Sequence, residues 1–271
     1  MAQIAQIWIY PIKSCRGISL TESDVDPRGL TWDRRWVLAD EAGVFLTQRS
    51  TRALGEFQPR LSQDGLWITH IPSNEEIWLP FTPETSEECI IQIWEDQVPC
   101  LRVSDALDNW FSHHIQQKVR LFFQPDQSIR PIEAKYQLTG AEHTSLSDGY
   151  PILVLSEASL EKISQEAGKK MDVLRFRPNL VLQGLEAFGE DNLTKFWAGS
   201  AELACVKPCA RCVLTTVDPT TLEAGPEPLK SLAHYRKQNQ KIMVGQNTVV
   251  LKTGVLRVGD VIRMQEDRQS T

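Results

Sequence analysis

The stretch Lys207-Pro208-Cys209-Ala210-Arg211-Cys212-Val213-Leu214-Thr215-Thr216-Val217-Asp218-Pro219 packs two thiols and two cations into its first six residues. Three chemistries suit such a run. A structural zinc site would take Cys205, Cys209 and Cys212, yet no second cysteine pair and no nearby histidine supplies the fourth ligand. A redox Cys-x-x-Cys normally precedes a helix whose dipole lowers a thiol pKa, whereas the β-branched residues after Cys212 predict a strand. Free cysteines also bury readily in a core. Arg211 counts against that last case, because a guanidinium beside a core thiol is costly to bury without an anionic partner. Adjacent cations favour a thiolate, and a thiolate is the form that ligates a soft metal.

Three further segments carry charge in places that suit an anion. In Tyr10-Pro11-Ile12-Lys13-Ser14-Cys15-Arg16-Gly17, Lys13 and Ser14 leave a strand at a turn, where an ammonium, a hydroxyl and free backbone N–H groups suit a phosphate. Taken alone, the same turn reads better as a solvated turn with a snorkelling lysine. In Asp33-Arg34-Arg35-Trp36, a period of two sends Arg34 and Arg35 to opposite faces, one toward a pocket and one toward water. In Arg175-Phe176-Arg177-Pro178-Asn179, the same alternation puts both guanidiniums on one face, and Asn179 offers both a donor and an acceptor. No Gly-x-Gly-x-x-Gly, Walker loop, Gly-x-Ser-x-Gly elbow or His-Glu-x-x-His helix is present. His113 and His114 fall on a helix, where neighbours point about 100° apart and do not share a metal.

The elements that must position these groups read mostly as short strands: Ile4 to Ile12, Ile18 to Val25, Arg35 to Leu46 with a turn at Asp40 to Gly43, Leu66 to Ile71, Glu76 to Leu79, Ile90 to Trp94, Gln97 to Val103, Thr248 to Leu251 and Val255 to Met264. Ser104 caps a helix with Leu107, Trp110, Phe111 and Ile115 inward. Ser156 caps a second with Leu160, Ile163 and Ala167 inward and Gly168 as its stop. Pro228 starts a third with Leu229, Leu232 and Tyr235 inward. The fold class is therefore mainly β with a few helices (α+β). A boundary near residue 120 divides the chain into 1–120 and 121–265, and a frayed tail is expected over Glu266 to Thr271.

The net charge of −6 gives no whole-chain attraction to nucleic acid or to a membrane surface. No apolar run has the length of a membrane span. The N-terminus lacks a basic region followed by an apolar core and a cleavage site, so it reads as a strand that enters the fold at once. Six irregularly scattered cysteines then imply reduced thiols, and a cytoplasmic location is expected.

In order along the chain, YPIKSCRG, DRRWVL, LTQRS, FRPN, CARCVLTTVDP and GQN resemble the MOSC family, named for the molybdenum cofactor sulfurase C-terminal domain. The likeness spans nearly the whole chain and is strongest to the two-part amidoxime-reducing members and their bacterial counterparts. It implies an N-terminal β-barrel domain followed by a MOSC β-barrel domain. It also implies Mo-molybdopterin as cofactor, with Cys212 as the protein ligand to molybdenum and the catalytic centre. By motif position, Lys13, Ser14 and Arg34 take the phosphate and pterin end, Arg177, Asn179 and Arg211 hold the pterin, and Gly149, Tyr150, Ala210 and Asn247 close the pocket. Asp148-Gly149-Tyr150 stands where relatives carry a hydroxyl-rich stretch, so contacts there are expected through backbone N–H groups.

The resemblance implies a molybdenum-dependent oxidoreductase that reduces small N-hydroxylated substrates of the amidoxime or hydroxylamine type. No ferredoxin-like cysteine spacing is present, so electrons are expected from a separate donor protein of ferredoxin-like, flavoprotein or cytochrome type. The competing reading is a carrier of cofactor or sulfur that uses Cys212 without turning over a small substrate. In either case Cys212→Ser is expected to fold normally and lose metal-dependent function, while Cys209→Ser loses much less. Equal losses in a side-by-side assay would instead indicate a dithiol or a zinc site.

Overall fold

A computed structural model describes residues 1–264, so the expected frayed tail lies outside the described residues. The mainly β expectation holds, with strands throughout and α-helices at Asp105–Ile115, Glu157–Glu166 and Leu229–Leu232. The largest sheet runs in the order Ile18–Leu20, Gln3–Ile9, Leu180–Gln183, Ile152–Ser156, Lys241–Lys252, Ala201–Arg211, Lys195–Ala198 and Arg263–Met264. A division near residue 120 is thus a division along the chain and not between sheets, because Gln3–Ile9 pairs with Leu180–Gln183. The parallel pair Ile152–Ser156 and Leu180–Gln183 needs a crossover, and the helix Glu157–Glu166 lies on it. A four-stranded sheet, Trp36–Ala39, Arg120–Phe123, Asp96–Arg102 and Glu88–Ile93, and a three-stranded meander, Phe57–Leu61, Gly65–His70 and Glu75–Pro80, build most of the N-terminal half.

Two cores flank the seam between the halves. One gathers Ile12, Trp36, Leu54, Phe57, Leu107 and Phe111. The other gathers Ile4, Ile7, Ile9, Ile152, Leu180, Phe196 and Leu203. Simple alternation would send Ile4 and Ile7 to opposite faces. A register shift between Ile4 and Gln6 returns both to the same core.

The helix Asp105–Ile115 forms where expected. Ser104 Oγ accepts from the Leu107 N–H at 3.3 Å, Leu107, Phe111 and Ile115 are buried four residues apart, and Gln116 ends it in the left-handed region. Ser156 caps the second helix through the Ser159 N–H at 3.1 Å. Its hydroxyl and that of Ser159 both donate to the fully buried Glu190 carboxylate at 2.7 Å.

Five expectations are corrected. Arg34 and Arg35 do not divide between a pocket and water, because Arg34 has a φ of 48° in a turn and Arg35 is buried, donating to Gln124 O at 2.7 Å. The helix after Pro228 lasts a single turn, and Tyr235 is exposed, its ring tilted against Phe188, because the chain turns away toward Lys237–Gln238. The expected strand Val255 to Met264 splits into Gly254–Arg257 and Arg263–Met264 around Gly259 in the left-handed region. The strand expected after Cys212 is a 3-10 turn, Val213–Thr216. There, Thr215 Oγ1 donates to Cys212 O at 3.0 Å and Thr216 Oγ1 to Val213 O at 2.8 Å, so threonine hydroxyls satisfy carbonyls that a ladder would have used. Finally, Arg175 and Arg177 do not alternate along a strand. Asp172 caps the 3-10 turn Val173–Arg175 by accepting from the Leu174 N–H at 2.8 Å, and Arg177 has a φ of 53°.

Gly245 fixes how Lys241–Lys252 lies against Ile152–Ser156, two residues before Asn247. Its φ is +78°, and a Cβ there would sit 2.7 Å from the Val154 carbonyl oxygen. Gly245→Ala is therefore expected to lower the unfolding free energy by about 1–3 kcal/mol, read from the urea midpoint at unchanged slope.

Candidate functional site

A groove of about 280 Å³ opens at the seam between the two halves. Every residue that the family resemblance assigned to the cofactor lines it: Lys13, Ser14, Arg34, Gly149, Tyr150, Arg177, Asn179, Ala210, Arg211, Cys212 and Asn247. They arrive from separate elements. Lys13 and Ser14 come from the turn after the first strand, Arg34 from the turn before Trp36–Ala39, and Arg211 from the end of Ala201–Arg211. Asn247 comes from the neighbouring strand, opposite Leu153 and Lys207.

Three of these residues are held in the left-handed region with no glycine to ease it: Ser14 at φ 69°, Arg34 at 48° and Arg177 at 53°. Such conformations cost about 1–3 kcal/mol each and persist where the surroundings over-determine them. Here the surroundings are visible. Gln48 Nε2 donates to Ser14 O at 2.5 Å, and Arg34 Nη1 donates to Asp33 Oδ2 at 2.5 Å and to Asn179 Oδ1 at 3.0 Å. Arg177 Nη1 donates to Cys15 O at 2.8 Å.

Tyr10 lies beneath both arginines, its ring centroid 4.3 Å from the Arg34 guanidinium carbon and 4.1 Å from that of Arg177. The Asp33 carboxylate is the fully buried counter-charge, and it also accepts from the Tyr10 N–H at 2.8 Å. Burial and the like charge of Arg34 push Arg177 down to about 10, and it remains a cation at neutral pH. Asn179 turns out to organise the seam. Its Oδ1 accepts from Arg34 and from the Leu153 N–H, and its Nδ2 donates to Trp8 O at 3.1 Å.

On the other wall, Arg211 does not serve Cys212 as its place in the sequence suggested. Its Nη1 donates to Cys209 Sγ at 3.0 Å and its Nη2 to Phe176 O. Arg175 anchors the turn after Cys212 by donating to Thr216 O at 3.1 Å and to the Asp218 carboxylate. The Val-Asp-Pro end of the motif is therefore a brace for the cysteine loop. Lys207 lies over the rings of Tyr136 and Tyr150, 4.6 and 5.5 Å from their centroids. Among the described residues, the cysteines take part in no cluster of three or more metal-ligating side chains, which removes the support for a zinc site.

Several lining residues escaped the sequence reading, namely Thr47, Arg49, Ser147, Asp148, Leu153 and Thr215. Thr47 and Arg49 lie inside the Leu-Thr-Gln-Arg-Ser segment, Thr215 inside the cysteine motif and Asp148 beside Gly149, but none had been given a role, and Ser147 and Leu153 had no motif at all. The donors that matter most carry no partner. Arg175 Nε, Arg177 Nη2 and Arg211 Nε are buried without any hydrogen bond in the protein, as is the Tyr150 hydroxyl. A buried guanidinium N–H with no acceptor is costly, and three on residues lining one groove call for a polar, electron-rich ligand. A Cβ at Gly149 would meet nothing within 4 Å, so the space beside it is open to such a ligand.

Residues 1–118 match the MOSC N-terminal beta barrel domain and residues 141–263 match the MOSC domain. The mitochondrial amidoxime-reducing component 1 of Mus musculus is 31% identical over 278 residues, which cover 96% of this chain and 81% of the mouse protein. This chain belongs to the MOSC family. The mitochondrial amidoxime-reducing component 1 of Homo sapiens is 30% identical over 96% of this chain and 82% of its own length. The mitochondrial amidoxime reducing component 2 of Rattus norvegicus is also 30% identical, over 97% and 83%.

Lys13 gives the groove a pH dependence. Burial pushes its ammonium down to about 8, against the opposing pull of Asp148. The charged form that attracts an anion is full below that value and is lost above it. Affinity for inorganic phosphate is therefore expected to fall as pH rises through about 8, and the same titration of Lys13→Met should lack that step.

Proposed function

We propose that this protein is a molybdenum-cofactor-binding oxidoreductase that reduces small N-hydroxylated compounds. One observation carries the proposal: cations from both halves meet in one groove with the Cys212 thiol, and three of their buried N–H donors have no acceptor. That donor set fits a phosphate-bearing pterin, and the thiol fits a soft metal. Lys13, Ser14 and Arg34 would hold the phosphate and pterin end. Arg177 and Arg211 would donate their unpaired N–H groups to pterin heteroatoms. Asn179 would set the angle of Arg34, while Gly149, Tyr150, Ala210 and Asn247 would form the walls. Cys212 would ligate the metal.

When bound, Mo-molybdopterin supplies two-electron redox chemistry that no side chain offers. The protein's part is to hold the cofactor, orient it and keep its negative charge neutralised. Reducing an N–OH group consumes two electrons and two protons, breaks the N–O bond and leaves an N–H and a water. The amidoxime-reducing name of the relatives supports that substrate class for this chain. Electrons would come from a separate donor protein. Among the described residues no helix is long and apolar enough to cross a membrane.

Protein purified from a host that makes the cofactor is expected to contain near-stoichiometric molybdenum and pterin, and to reduce an amidoxime when given a competent reductant. Absence of both metal and pterin would sink the proposal. Cofactor bound with no turnover would favour the carrier role instead.

A further inference from the structure

Asp148 lies at the mouth of the groove and was not among the residues expected to bind anything. Its Oδ1 accepts from Lys13 Nζ at 2.6 Å and from Trp94 Nε1 at 3.3 Å. The two partners of the ion pair differ sharply in freedom. The Lys13 side chain is 6% exposed and also donates to Leu146 O at 2.8 Å, while the Asp148 side chain is 68% exposed. Two of the three ammonium N–H groups are therefore already engaged, one of them by a carboxylate that faces water.

The base beneath Asp148 is rigid. Arg130 donates to Ser145 O at 3.1 Å, to Ser147 O at 2.6 Å and to Asp96 Oδ2 at 2.7 Å. Beyond Asp148 comes Gly149, with open space around it. Asp148 is thus tethered on its Ser147 side and has open space on its Gly149 side.

Trp94 completes the device. It sits at the tip of the hairpin Glu88–Ile93 and Asp96–Arg102, is 39% exposed and has a φ of 57°. A bulky residue in that conformation and that exposure is unfavourable twice over. It is held by Arg49, 4.2 Å above its ring, by Phe45 edge-on at 4.9 Å, and by the Asp148 carboxylate. The hairpin tip from one half and the aspartate from the other therefore form a strap across the Lys13 end of the groove.

We infer that Asp148 is a latch that competes with anionic ligands for the Lys13 ammonium, and that a phosphate-bearing ligand enters this end of the groove by displacing the carboxylate. For the cofactor, this rests on the function proposed above. For a simple phosphate it does not. Swapping one acceptor for another on the same ammonium costs little in charge. The latch therefore keeps the buried lysine paired and lowers the groove's affinity for adventitious anions.

The test uses the whole chain and inorganic phosphate as the probe, by calorimetry at pH 6, where the Lys13 ammonium stays charged after the carboxylate that supports it is removed. Asp148→Asn keeps the shape and removes the charge, and it is expected to bind phosphate about three- to tenfold more tightly. Trp94→Phe, which loses the indole donor and part of the ring that Arg49 and Phe45 pack on, should move in the same direction by less. Both gains should vanish in a Lys13→Met background. In cofactor-loaded protein, Asp148→Asn should release pterin more slowly after dilution, read from the fluorescence of the freed, oxidised pterin. Unchanged or weaker phosphate binding by Asp148→Asn would overturn the latch and make Asp148 a brace for Lys13. Tighter phosphate binding in a protein that never acquires pterin would uphold the latch and reject the cofactor.

Discussion

Burying positive charge along the seam is the constraint from which the rest of the structure follows. Lys13, Arg34 and Arg177 all sit in or against the interior, with Asp33 as the fully buried counter-ion. An isolated buried cation is not tolerated. The protein answers with backbone carbonyls, with the face of Tyr10 and with the amide of Asn179. What those partners leave over is a positive field aimed at one groove. A protein with an overall negative charge thereby keeps a local site for an anion.

The backbone bends to serve that arrangement. Ser14, Arg34 and Arg177 each adopt a conformation that their side chains disfavour. Each is pinned by contacts from another part of the chain, so the geometry of the groove depends on the whole fold. Asn179 shows the coupling most clearly. One side chain receives N–H groups from Arg34 and Leu153 and gives one to Trp8, tying three segments at a single point.

Much of this was legible in the sequence. The chemical groups were, because lysine, arginine and cysteine at motif spacing are visible as letters, and all eleven expected residues line the groove. The capped helices were legible too, since Ser104 and Ser156 act through the nearest N–H groups. Conformations that depend on distant partners were not. The β-branched run after Cys212 predicted a strand, and the local hydroxyl bonds together with Arg175 won instead. Left-handed arginines leave no mark in the letters. Nor does the pairing of Lys13 with Asp148, 135 positions apart, which only the assembled seam creates.

The strand Gln3–Ile9 lies inside the large sheet, between Ile18–Leu20 and Leu180–Gln183. During synthesis it therefore leaves the ribosome long before its second neighbour exists. Until then its open edge and its buried-type isoleucines are unprotected, a state that favours slow closure and non-native pairing. The same order of events sets a clock for the groove. Lys13 precedes Asn247 along the chain, so the groove is not complete until the strand Lys241–Lys252 has been made. Any molecule that needs the whole groove is seated only once the two halves have met.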